Sequence, residues 1–212
     1  MARSPRLTKA QRREQLLDIA LELFARHGYA RATTFELAKA AGVSEPVIYL
    51  NFENKRDLFV HLIRRTGERT ISAWEKSLAD ANDPAQRLLR LLNENPMVTG
   101  KERNAYRVMF KALAETDDPL IRDEIDAHVQ KLHQFLVREL TWARERHKIA
   151  GRFSPELIGW LLINVGLGFG VLDAIGIARR DSDSSGHQSR DVIARLLVGA
   201  AADLDWPRGR ST

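Results

Sequence analysis

Residues 34–52 read TFELAKAAGVSEPVIYLNF. Two short helical segments flank Gly42-Val43, and Ser44 is placed to cap the second, with Pro46 early inside it. Leu37, Ala38, Ala41, Val43, Ile48 and Phe52 supply the apolar positions that would lock the two segments together and onto a preceding helix. Two short helices joined by such a turn make a helix-turn-helix, which sets its second helix in the DNA major groove. Any αα-hairpin needs a glycine turn, so the pattern alone leaves DNA binding open.

Outward from this stretch the signals remain helical. Thr8 and Gln11 form a capping box ahead of Leu16, Ile19, Ala20, Leu23 and Phe24, which share one helix face. His27-Gly28 supplies a stop. Asn54 and Asp57 open a longer helix carrying Leu58, Phe59, Leu62, Ile63, Trp74 and Leu78. Asp83-Pro84 starts another, ending by Asn95-Pro96, and residues 101–115 and 119–148 read as two more. Ser154-Pro155-Glu156 begins a long apolar helix to about Ala178, and a polar stretch, Asp181–Ser189, precedes a final helix through Leu204. The expectation is an all-α chain of about nine helices without a strand.

Composition narrows the function classes. The chain has 212 residues, 44% of them hydrophobic, and no cysteine, which excludes disulfides, thiolate zinc sites and cysteine nucleophiles. Residues 1–70 hold 13 Lys/Arg against 8 Asp/Glu, a surplus of five, while the remainder balances 20 against 20. All the net charge therefore lies in one N-terminal block, which suits a small basic module facing a polyanion and attached to a neutral body. MARSPRLTKAQRRE is basic but runs into no apolar core of a secretory signal, so a cytoplasmic protein is expected.

Residues 8–65 resemble the DNA-binding domain of the TetR (tetracycline-repressor-like) family of transcriptional regulators. The resemblance is carried by Leu17-Asp18-Ile19-Ala20-Leu21-Glu22-Leu23-Phe24, Gly28-Tyr29, Thr33-Thr34, Ala40-Ala41-Gly42-Val43-Ser44, Tyr49, Phe52, Lys55 and Leu58-Phe59. It implies a helix-turn-helix domain over 1–53, with a basic arm over 1–13, and a ligand-binding and dimerisation domain over 54–212. The second short helix would be the recognition helix, presenting Ser44, Glu45, Pro46, Val47, Tyr49, Leu50 and Asn51. Thr33, Thr34, Tyr49 and Lys55 match positions that grip phosphates in the family. Thr34 suits equally the N-cap of the helix it begins.

Two positions depart from the family: histidine is usual at Asn51, and an aromatic or polar residue is frequent at Leu50. The recognition helix also lacks Lys and Arg. Base readout would then fall to Pro46 and Val47 on thymine methyls and to Glu45 on a cytosine amino group. Phosphate affinity would come from the flanks, chiefly Arg3, Arg6, Lys9, Arg12, Arg13, Lys39 and Lys55.

In the body, residues 157–178 are apolar enough in length to cross a membrane. Asn164, Asp173 and five glycines interrupt them, and the resemblance favours a soluble subunit interface. Gly166 and Gly170 would permit close approach there, and the last helix offers Val192, Ile193, Leu196, Leu197 and Ala200 as an apolar stripe. A homodimer reading a palindromic operator follows, with double-stranded DNA, its own copy and an unidentified small-molecule effector as partners. Candidate pocket residues are the large or polar ones on apolar faces: Trp74, Met97, Tyr106, Phe110, His133, Trp160 and Asn164. Neither a cofactor nor a metal site is expected, since the six histidines are scattered and His128 and His133 point apart on a helix. No nucleophile–base pair suggests an enzyme. Two readings stay open: a ligand-responsive, sequence-specific repressor, and a non-specific architectural DNA-binding dimer.

Overall fold

The computed structural model describes residues 7–93, 97, 101–115, 117–147, 149, 152–177 and 193. Among these residues the chain forms eight α-helices and no strand: α1 (Lys9–His27), α2 (Thr34–Ala41), α3 (Glu45–Tyr49), α4 (Lys55–Leu78), α5 (Pro84–Asn93), α6 (Arg103–Glu115), α7 (Pro119–Glu145) and α8 (Pro155–Ala174). Side-chain capping explains most of the starts. Thr8 and Gln11 exchange bonds at α1, Asn54 accepts from the Asp57 amide at α4, and Asp118 and Ser154 accept from Leu120 and Leu157 at α7 and α8. Each satisfies an amide that the helix itself leaves unpaired. At α2 the cap is Thr33, which exchanges bonds with Glu36, so Thr34 is the first helical residue and not the cap.

The first three helices and the start of α4 share one small core. Leu16, Leu17, Ala20, Leu23 and Phe24 of α1 are buried with Leu37, Ala38, Ile48 and Phe52, and with Leu58, Phe59, Leu62 and Ile63 of α4. Phe24, Tyr29 and Phe59 meet with ring centroids 4.7–5.7 Å apart, which fixes the α1–α2 loop on α4. Gly42, at φ +63°, supplies the left-handed turn between α2 and α3 that a side chain disfavours.

The body is built on the second half of α4, with α5 to α8. Ion pairs stitch it at partly buried sites: Arg87 grips Glu139 through two bonds of 2.7 and 2.9 Å, and Arg103 grips Asp173 on α8. That guanidinium holds the Asp173 carboxyl below the ordinary carboxylate range. Arg65, buried on α4, reaches Asp18 at 2.8 Å and Glu14 at 3.3 Å, tying α1 to the same helix.

α8 is apolar nearly all round, and its two faces do different work. Ile158, Gly159, Ile163, Gly170 and Ala174 are buried inward. A methyl at Gly170 would stand 2.7 Å from Phe110 Cε2 and 3.0 Å from Met97 Cβ, so this glycine serves close packing within the protomer. Leu157, Leu161, Leu172 and Ile175 stand exposed on the opposite face, together with Asn164 and Gly168. α8 meets the length and hydropathy requirement for a membrane span. Of the last predicted helix, Ile193 is helical and packs partly buried against the core. Val192, Leu196, Leu197 and Ala200 lie outside the described residues.

Candidate nucleic-acid interface

α3 stands at the surface with its single buried residue, Ile48, anchoring it. Ser44 and Pro46 are exposed and Val47 is half-buried, while Tyr49 and Leu50 are 51% and 73% exposed. Ser44 occupies the N-cap position without a side-chain bond, leaving its hydroxyl available. Asn51 turns back on its own helix: its amide donates to the Val47 carbonyl at 2.8 Å, and its Oδ1 is buried without a partner.

The hydroxyls assigned to phosphates are all engaged within the chain. Thr33 Oγ1 accepts from the Glu36 amide and donates to Glu36 Oε2 at 3.0 Å; this last bond, with one from the Thr33 amide to the same oxygen, holds the Glu36 carboxyl below its ordinary range. Thr34 Oγ1 donates to Glu45 Oε1 at 2.7 Å and lies 3.2 Å from the Tyr49 hydroxyl. These contacts tie the first turn of α2 to both ends of α3.

Lys55, too, is engaged within the chain. Its ammonium donates to the carbonyls of Tyr29, Ala30 and Ala32 at 3.0, 3.0 and 3.2 Å, and sits 4.7 Å from the Tyr29 ring centroid. An ammonium has three protons, and three carbonyls take them. Lys55 therefore fastens the α1–α2 loop beneath the recognition unit.

Of the basic flank, Lys9 begins α1, so Lys9, Arg12 and Arg13 are helical and not part of an extended arm. Arg12 donates to Gln15, and the Arg13 guanidinium lies 4.8 Å over the Phe52 ring. Residues 1–6, with Arg3 and Arg6, lie outside the described residues. Lys39 is exposed on α2. Phe35, 65% exposed on the same helix, was not singled out from sequence. Its phase, off the Leu37–Ala38 face, was the available signal.

In the body, the pocket candidates fall into three groups. Met97 and Phe110 meet over Gly170, and Phe110 stacks on Tyr106 with centroids 6.1 Å apart. Tyr106 in turn bonds Thr70 Oγ1 at 3.1 Å and His128 Nε2 at 3.0 Å. His133 stacks beneath Trp160 at 4.2 Å and bonds the Glu156 carbonyl. Trp74 packs against Phe135. Asn164 belongs to none of them and is exposed on α8.

Sequence reasoning weighed His128 only as a metal ligand, although it interrupts the apolar register of Ile121, Ile125, Leu132 and Phe135. Burial lowers its pKa to about 4 and pushes the Tyr106 hydroxyl up, so both are neutral at ordinary pH. His128 Nδ1 is buried without a partner and faces Gly67, where a methyl would stand only 2.5 Å away. Among the described residues no three His, Asp or Glu are placed to hold a metal ion.

A family-wide sequence profile, that of the bacterial regulatory proteins of the tetR family, matches residues 16–62. The matched span runs from the core of α1 through α2 and α3 into α4, the unit just described. The helix-turn-helix segment of this chain is similar to that family. Among its relatives, the HTH-type transcriptional activator FasR of Mycolicibacterium smegmatis is 33% identical over 51% of this chain and 50% of that protein. The HTH-type transcriptional regulator AcrR of Shigella flexneri is 42% identical over 52% and 53%. The chain thus spans about half the length of the curated relatives it matches. The crystal structure of the regulator FadR from Bacillus subtilis in complex with stearoyl-CoA shares the fold, with a TM-score of 0.75, 18% identity, and coverage of 86% of this chain and 98% of that one.

Proposed function

We propose that this chain is a tetR-family transcription regulator, ligand-responsive and sequence-specific: a cytoplasmic homodimer that represses from a palindromic operator and is released by a small hydrophobic ligand. The observation that carries the reading is the presentation of α3. A five-residue helix anchored by Ile48 offers Pro46, Val47, Tyr49 and Leu50 outward, over a base tied to α2 and α4. With no Lys or Arg in that helix, readout rests on apolar contact with thymine methyls and on Glu45, with the electrostatic component supplied by its flanks.

Dimer formation is supported by the outward stripe of α8, where Leu157, Leu161, Leu172 and Ile175 leave an apolar face that a second copy would cover. The division of labour is a DNA-binding domain over 1–53 and a ligand and dimer domain from 54, with α4 belonging in part to each. Inside the body, Tyr106, Phe110 and Met97 support an apolar effector, and the neutral Tyr106–His128 pair supports a polar group at one end of it. FadR, which shares the fold, was crystallised with stearoyl-CoA, an amphipathic molecule of that kind.

Selection of bound duplexes from a random library at near-physiological salt tests this reading. A recovered palindrome is the expected result. Binding that persists only at low salt, with no motif, would replace it by the architectural dimer.

A further inference from the structure

We infer that Glu45 makes the grip on the DNA backbone conditional on base sequence, by holding the Thr34 and Tyr49 hydroxyls until a base amino group draws its carboxylate away. This rests on the DNA-binding reading above and adds a rule for how that surface discriminates.

The rule follows from a count of protons. A carboxylate only accepts, so the 2.7 Å contact between Thr34 Oγ1 and Glu45 Oε1 uses the one proton of the threonine hydroxyl. With that proton spent, the 3.2 Å contact to Tyr49 has the tyrosine O–H as donor and Thr34 Oγ1 as acceptor. The chain runs Tyr49 to Thr34 to Glu45, and both protons are committed. A phosphate oxygen also only accepts. It therefore gains no bond from either hydroxyl while Glu45 keeps its place, and it meets a like charge beside them. α3 carries no Lys or Arg to neutralise that charge.

In the major groove the N–H groups on base edges are the N4 amino of cytosine and the N6 amino of adenine. A site that presents one of them within reach of Glu45 takes the carboxylate as an acceptor. Thr34 and Tyr49 are then free to turn their protons to the phosphate. A site that presents a carbonyl or a methyl leaves the internal chain closed, and the phosphate contacts go unmade. Discrimination at this position thus includes the base contact and the two backbone contacts it releases. Glu45 is a positioning residue acting through Thr34.

The test uses the full chain and a fluorescently labelled random-sequence duplex at low salt, read by anisotropy, with circular dichroism to confirm folding. Glu45→Ala is expected to tighten binding to random duplex by about three- to tenfold, since both hydroxyls are released and a repelling charge is removed. Thr34→Val alone removes the acceptor that holds the Tyr49 proton, so it frees one hydroxyl and is expected to tighten random-duplex binding by less than Glu45→Ala, which frees both and removes the charge. Combined, Thr34→Val removes the part of the Glu45→Ala gain that the Thr34 hydroxyl carries, a loss that a purely electrostatic role would not predict. Glu45→Gln keeps an acceptor for Thr34 and gains less than Glu45→Ala, which covers the case of a poorly folding alanine variant. No gain in Glu45→Ala, or a gain that survives intact in the double variant, overturns the inference while leaving DNA binding in place. A folded parent that binds no duplex at low salt overturns the DNA-binding reading, and this inference with it.

Discussion

Replacing Lys55 by methionine separates two jobs that a lysine at this position could hold. The apolar stem stays, and what disappears is an ammonium bonded to the carbonyls of Tyr29, Ala30 and Ala32 and lying 4.7 Å from the Tyr29 ring centroid. Hydrogen bonds to charged groups contribute about 1.5–3 kcal/mol each. These three share one half-exposed ammonium, and water can refill acceptors at the loop surface, so their sum overstates the loss. The cation over Tyr29 adds about 0.5–1 kcal/mol. A net loss of about 2–3 kcal/mol is the expectation, which for a chain of this size lowers Tm by roughly 5–10 °C. Thermal melting by circular dichroism reads this directly.

The same variant is then titrated with duplex DNA over a range of salt. A lysine bonded to a phosphate would take about one unit from the slope of log affinity on log salt when removed. Because the protons of Lys55 are on carbonyls, the slope is expected to stay at the parent value while affinity falls modestly through a loosened loop. An unchanged Tm together with a slope reduced by about one would refute the assignment and return Lys55 to the phosphate.

Three further outcomes follow from the body. Leu161→Arg on the exposed face of α8 should yield monomers by sedimentation, and a persisting dimer would place the subunit interface elsewhere. His128 has its pKa lowered to about 4 in the folded chain, so the unfolded chain binds a proton that the folded one refuses. Stability on this account is full above the ordinary histidine value and declines by about 3 kcal/mol as pH falls from there to 4; urea unfolding of His128→Gln should show a shallower decline, and an identical pH profile would contradict the assignment. Gly170→Ala drives a methyl against Phe110 and Met97 and should destabilise by about 1–3 kcal/mol. Gly168→Ala, with nothing within 4 Å in the protomer, should not, and equal effects by denaturant titration would count against the inward placement of Gly170.

Local signals carried much of the fold. Thr8, Asn54, Asp118 and Ser154 cap helices where short-range side-chain chemistry places them, because a cap involves residues only two or three apart. The helix-turn-helix was legible for the same reason: Gly42 and the apolar set around it lie within one short stretch. What stayed hidden depends on distant partners. Nothing near Lys55 in sequence announces that its acceptors lie 23 to 26 residues earlier. Nor does the spacing of Glu45, 11 residues from Thr34, reveal a bond between them. α8 shows a different limit. Periodicity tells that Gly166 and Gly170 share a face, but on a helix apolar all round it gives no sign of which face turns inward. The structure turns Gly170 toward α6, and the outward stripe runs through Leu157, Leu161 and Ile175.

The notch between Gly67 and His128 gives α4 the geometry of a lever. The helix has 24 residues, a rod about 36 Å long at 1.5 Å per residue. Its first turn is fastened under the recognition unit by Lys55, and its far end, at Trp74 and Leu78, is sunk in the body. The imidazole bearing on Gly67 sits close to its middle, with 12 residues toward Lys55 and 11 toward Leu78. A fulcrum with nearly equal arms neither magnifies nor diminishes a stroke. A shift of one ångström at Leu78 would come back as about one ångström, reversed in direction, beneath the loop that carries Tyr29.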